Sequence, residues 1–141
     1  MSGEEIKAKD FQFQNIQRVL SSSSSNQMTL IGWTIGFESA GLVGLFSIAT
    51  SNPNNLDHSN GISSLGMAMS AITLLLFFVW KREHVLAEQY INQLKDIVAI
   101  PEKDLYSGMT AAVWRTVFGL SLLLWLAVSV CPDFFRKFLT N

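Results

Sequence analysis

Few side chains in this 141-residue chain are of a type that does chemistry. Two of them stand out by position. Glu38 and Arg115 each interrupt a stretch that carries no other charge, Met28 to Ala49 and Met109 to Cys131. If those stretches lie in lipid, each charge is penalised by roughly 2.5–3.5 kcal/mol unless it faces protein, water or an opposite charge. A Glu38–Arg115 pair, within one chain or between chains, would neutralise both. Two alternatives stay open. Arg115 can snorkel back to the membrane surface, with Glu38 carrying a proton after desolvation. Glu38 can instead line a conduction path.

The remaining reactive groups form no constellation. His58 and His84 are far apart in the chain, and both read as surface residues. The single cysteine, Cys131, reads as a small apolar residue and excludes an internal disulfide or a cysteine-rich zinc site. There is no G-x-S-x-G, since the nearest string, Gly36 to Gly41, has the wrong spacing. There is no H-E-x-x-H and no phosphate-binding glycine loop. The expectation is a protein that is not an enzyme and uses no cofactor or metal.

Composition sets the class. Hydrophobic residues make up 49% of the chain and charged residues 15%, against about 25% charged in an ordinary soluble domain. Mean hydropathy is +0.30. Ten basic and eleven acidic residues leave a net charge of −1, which argues against nucleic acid as a partner because that needs a basic face. Three segments, 28–49, 61–80 and 109–131, meet the length of about 20 apolar residues that a bilayer core demands. Pro53, Pro101 and Pro132 all lie outside them. The expected fold is all-α, an integral membrane protein with three transmembrane helices. An N-terminal amphipathic helix precedes them, and the second span extends as a cytoplasmic helix. Two polar segments are too little to sheath three apolar ones in water.

Charge sets the expected orientation. Lys7, Lys9 and Arg18 precede the first span, and Lys81, Arg82, Lys95 and Lys103 lie between the second and third. The loop from Thr50 to Asn60 has no Lys or Arg. Positively charged flanks stay inside, so the N-terminus and residues 81–108 are placed in the cytoplasm. The C-terminal tail, with Arg136 and Lys137, then faces outward. The first 27 residues lack the apolar run of a signal peptide. Trp80 and Trp114 fall at the expected cytoplasmic boundary, and Phe134 and Phe135 at the outer one. Trp125 lies too deep for such a role and reads as packing.

Outside the spans, residues 2–20 read as a helix. Ser2 and Glu5 have capping-box spacing, and Ile6, Phe13, Ile16 and Leu20 share a face. Ser21 to Ser25, with Asn26 and Gln27, read as a polar linker or capping turn. After Lys81 a helix carries the stripe Leu86, Tyr90, Leu94 and Ile97 up to Pro101. That stripe can dock on the N-terminal helix, on a second copy or on another protein. No long apolar heptad points to a coiled coil.

Gly32, Gly36, Ala40 and Gly44 recur every fourth residue in the first span. Such a row lets helix backbones approach closely in lipid. It can serve packing inside the chain, against a second-span patch of Gly66, Ser70 and Thr73, or it can serve self-association. The expected partners are the lipid bilayer and either further copies of the chain or a larger membrane complex. The expected function is that of a small multi-pass membrane protein acting by homo-oligomerisation, as a pore or permeabilising agent. The alternative is an accessory or anchoring subunit.

Overall fold

Long apolar runs free of proline favour unbroken helices, because in lipid every backbone N–H and C=O must be paired within its own segment. The structure, a computed structural model, describes residues 3–51, 57–97 and 108–140. Among them the chain is entirely helical: α1 (Gly3–Thr50), α2 (Asp57–Ile97), α3 (Gly108–Val130) and α4 (Pro132–Thr140). Three of these helices are long and apolar enough to cross a membrane. At 1.5 Å per residue, α1 runs about 70 Å and α2 about 60 Å. Both exceed the hydrocarbon thickness of about 30 Å, so each has an apolar half and a polar half that forms an arm.

Antiparallel contacts set the order. Ser23 meets Glu83, and Glu38 meets Thr73, along the α1–α2 pair. Ser63 meets Ser129, and Phe77 meets Phe118, along the α2–α3 pair. α2 is the middle helix, packed on both neighbours, while the backbones of α1 and α3 scarcely approach one another. One apolar cluster joins Leu45, Ala49, Ile62, Met69, Trp125 and Val128 towards the Thr50 end of α1. A second joins Leu30, Leu76, Trp80, Ala111 and Phe118 towards the arms.

Several expectations need correction. The serine run is no linker, since α1 passes through Ser21–Ser25 without a break. Serine is only mildly unfavourable in a helix, and packing against α2 holds Ser23 buried, with its hydroxyl donating to the Glu83 carbonyl at 3.3 Å. The coiled-coil reading is also reversed. Buried positions on α1 fall at Ile16, Ser23, Gln27, Leu30 and Thr34, and on α2 at Trp80, His84, Ala87, Ile91 and Leu94. These are alternating steps of three and four, or a sum of them, which is the repeat of a left-handed coil. The seam is partly polar, so a search for apolar heptads misses it.

In that seam Leu94 is buried and Leu86 and Tyr90 are half-buried. The antiparallel register of the Ser23–Glu83 contact brings Ile91 level with Ile16 and Leu94 level with Phe13 of α1, each to within a residue. The proposed docking stripe thus lies largely against the chain's own N-terminal helix. The Ile97 side chain, the Ser2–Glu5 capping box and Pro101 lie outside the described residues. Trp80 is not a headgroup anchor: it is 2% exposed and stacks on His84 at 5.1 Å. His84 is no surface residue either, being buried in the seam with Nε2 at 3.2 Å from Glu88. The tail is the helix α4. Pro132 disfavours helical geometry at Cys131 and then starts a new helix as its first residue, and the Cys131 carbonyl accepts from the N–H of Phe134 at 3.2 Å. Phe135 and Leu139 pack on the cluster around Trp125.

The close approaches fall at Gly41 and Gly66, the latter against α3, and not along the row Gly32, Gly36 and Gly44. A Cβ on Gly32 or Gly36 would meet nothing within 4 Å, and one on Gly44 would make ordinary contact with Leu65. A Cβ on Gly66 would lie 2.6 Å from the backbone nitrogen of Ser129. Adding a methyl to Gly36 should therefore stabilise the folded monomer by up to about 1 kcal/mol through helix propensity. Gly66→Ala should lower stability by about 1–3 kcal/mol, because the neighbouring backbone cannot give way. Thermal melts of the two variants in detergent check both signs.

Candidate intramembrane polar site

The inner face of α1 is marked by Leu30, Thr34, Gly41, Leu45 and Ala49, all buried. Glu38 lies on the same side, one helical turn from Thr34. Its carboxylate therefore points between α2 and α3. There it accepts three hydrogen bonds. Thr73 of α2 donates to Oε1 at 3.2 Å, and Ser121 of α3 donates to the same oxygen. The indole N–H of Trp125 donates to Oε2 at 2.6 Å. Ser121 and Trp125 are four residues apart, so they share one face of α3.

This is the main polar link between α1 and α3. The backbones stay apart, and the Trp125 side chain fills the gap with no exposed surface. A Cβ on Gly41 would lie 2.7 Å from the Trp125 ring and 2.6 Å from the Met69 methyl. Gly41 thus makes room for the indole, and Glu38 one turn earlier holds its nitrogen. Thr34 is buried beside this face and returns its hydroxyl to the Leu30 carbonyl at 2.8 Å.

Arg115 is not part of the cluster. Ser121, which does reach Glu38, lies six residues deeper on α3, an axial offset of about 9 Å. Among the described residues no ion pair joins Glu38 to Arg115. Arg115 is exposed and lines the side of a groove between α2 and α3. Of the small row, Gly32, Gly36 and Ala40 face outward, and only Gly44 touches a neighbouring helix. Gly66, Ser70 and Thr73 of the second span are buried, as internal packing requires. Among the described residues no group of three or more His, Cys, Asp or Glu side chains is placed to hold a metal ion.

Sequence reasoning singled out Glu38 but not two of its donors. Trp125 read as packing alone, and Ser121 drew no notice. The usable signal was depth: an acid midway along one span calls for donors midway along the others. The chain matches no protein-family model, no curated protein and no solved structure. Its site is therefore read from its own geometry.

The arrangement can hold a carboxyl group, orient it and tie three helices together. Replacing Glu38 by leucine leaves the buried Trp125 N–H without an acceptor, at a cost of about 1–3 kcal/mol, while the hydroxyls of Thr73 and Ser121 can turn to carbonyls of their own helices as Thr34 does. Glutamine should be far milder. Its amide oxygen can accept from Trp125, while the hydroxyls of Thr73 and Ser121 turn to accept from its NH2 group. Denaturation in mixed micelles should rank the variants wild type, then Glu38→Gln, then Glu38→Leu.

Proposed function

We propose that the protein works by self-association within the bilayer, through the outward row of Gly32, Gly36 and Ala40. The observation that carries this reading is the openness of that row. Small residues elsewhere in the bundle, Gly41, Gly66 and Ser70, are buried in contacts within the chain. Gly32 and Gly36 meet nothing. In lipid there is no hydrophobic drive to bring helices together, so close backbone contact along such a row is what favours pairing. Each copy enters the assembly with Glu38 engaged inside it. Ion passage in this reading runs along the seam between copies rather than past Glu38.

A second reading, an accessory subunit of a larger membrane complex, is favoured by Phe11. Its ring lies in the polar arm of α1, well before the apolar stretch that starts at Met28, and is 72% exposed. Lipid contact does not explain an exposed ring there as it does for Phe37 or Phe78, which makes the arm a docking surface in this reading.

Mass measurement in native-like lipid separates the two. Self-association predicts a multimer whose dissociation constant rises about tenfold in Gly36→Ile, the loss of one close helix–helix contact. Liposomes holding the wild type should also leak ions faster than liposomes holding that variant. A monomer at all concentrations, with leakage at the level of empty vesicles, removes the proposal and favours the subunit reading.

A further inference from the structure

We infer that the lateral groove between α2 and α3 binds one anionic glycerophospholipid, with its phosphate on the Arg115 guanidinium and an acyl chain along the groove floor. The inference requires the helices to lie in a membrane but does not require self-association.

The groove has a volume of about 240 Å³ and is lined by Thr73, Leu74 and Phe77 of α2 and by Arg115, Phe118, Gly119 and Leu122 of α3, with the Thr73 hydroxyl committed to Glu38. The α3 residues follow one another at helical spacing on one face, over about 10 Å of the helix axis. Arg115 stands at the end nearer the arms, and Leu122 at the end nearer mid-span. Gly119 keeps the floor low, since a Cβ there would meet nothing within 4 Å. The space is therefore left empty by the chain's own side chains. It has the form of a slot with one charged end and an apolar run leading from it towards the centre of the bundle.

Charge selects the occupant. Arg115 is exposed, and among the described residues no carboxylate lies within ion-pair distance of it. Glu38, the one acid inside the spans, is engaged by Thr73, Ser121 and Trp125. Arg115 lies four residues inside Ala111, where the apolar run of α3 begins. That is about 6 Å of depth, within the reach of a snorkelling side chain to the phosphate layer. A guanidinium matches a phosphate with paired hydrogen bonds.

Among the described residues, the side chain beside Arg115 on α2 is also cationic. The register of Phe77 on Phe118 brings Lys81, one turn from Phe77 on the same face, level with Trp114, so exposed Lys81 stands near Arg115 on the neighbouring helix. The nearby acid Glu83 is turned to Ser23 on α1. A headgroup with its own ammonium would bring a like charge into this cluster. A headgroup of net negative charge does not.

The test is native mass spectrometry of the delipidated full-length chain in mild detergent. It is offered an equimolar mixture of dioleoyl phosphatidylglycerol and dioleoyl phosphatidylcholine. The expected result is one retained phosphatidylglycerol per chain, with a clear excess over phosphatidylcholine. Arg115→Gln should cut that excess about tenfold, the loss of one charge-assisted contact. Gly119→Leu, which adds bulk to the floor at a position where a Cβ meets nothing within 4 Å, should cut retention of the lipid while leaving the thermal melt in place. Leu123→Ala, on the lipid-facing side of α3, should change neither. Equal retention of the two lipids by the wild type overturns the inference. So does undiminished phosphatidylglycerol binding in Arg115→Gln and Gly119→Leu. Thermal stabilisation by inorganic phosphate equal to that by the lipid would mean that the acyl chain plays no part, and would overturn it too. Adducts are counted per chain, and the same spectra report copy number separately, so failure here is distinct from failure of self-association.

Discussion

A carboxylate placed between apolar helices must be given hydrogen-bond donors, because no water is at hand to supply them. Glu38 imposes that requirement on the whole bundle. Its donors come from both other spans, Thr73 on α2 and Ser121 and Trp125 on α3. Satisfying them fixes the depth and rotation of each helix relative to α1. It also fixes the indole of Trp125, and a fixed indole leaves space for nothing larger than hydrogen at Gly41. Apolar packing alone would tolerate sliding and rotation among three helices so rich in leucine, alanine and phenylalanine. A directional, multiply bonded anchor does not.

The two ionisable residues of the apolar segments are handled in opposite ways. Glu38 has a short side chain and sits midway along its span, too far from either surface to escape. It is met by donors inside the bundle. Arg115 has a long side chain and sits close to the end of α3 nearer the arms. It stays on the outside of the bundle. The same asymmetry separates the two roles proposed for the molecule's surfaces. The face of α1 opposite Glu38 is small and open, suited to another helix. The groove below Arg115 is narrow, apolar and charged at one end, suited to a lipid.

Beyond the apolar halves, α1 and α2 continue together as a paired arm. Its seam mixes Ile16, Ala87, Ile91 and Leu94 with Ser23, Gln27 and His84, all of them buried. A purely apolar seam would pair equally well with many helices. Polar groups in the seam restrict the register, because each must find its partner, as Ser23 does with Glu83. Buried Trp80 stacked on His84 sits where the apolar and polar halves meet, and ties the arm to the membrane portion.

Much of this was legible in the residues alone. The length and purity of three apolar runs, and the prolines between them, determined that the chain is helical with three segments able to span a membrane. The isolation of Glu38 in the first run marked it as a residue needing partners, whereas the Gly66, Ser70 and Thr73 patch, read as a match for the small row of α1, does not meet that row: Gly66 packs on α3 and Thr73 on Glu38. What the residues left open was which partner each would take. Glu38 and Arg115 have opposite charges, but the axial offset between them follows from how α3 docks on α2. Gly36 and Gly41, five residues apart, lie on different faces of any helix, but which of the two turns inward is settled only when α1 presents Glu38 to its neighbours. The serine run and the polar seam follow local preferences too weak to end a helix or announce a coil, and packing against α2 overrode them. Hydropathy acts on each residue separately, so the chain carries it in plain view. Hydrogen-bond partnership is a property of pairs distant in sequence, and only the assembled helices select them.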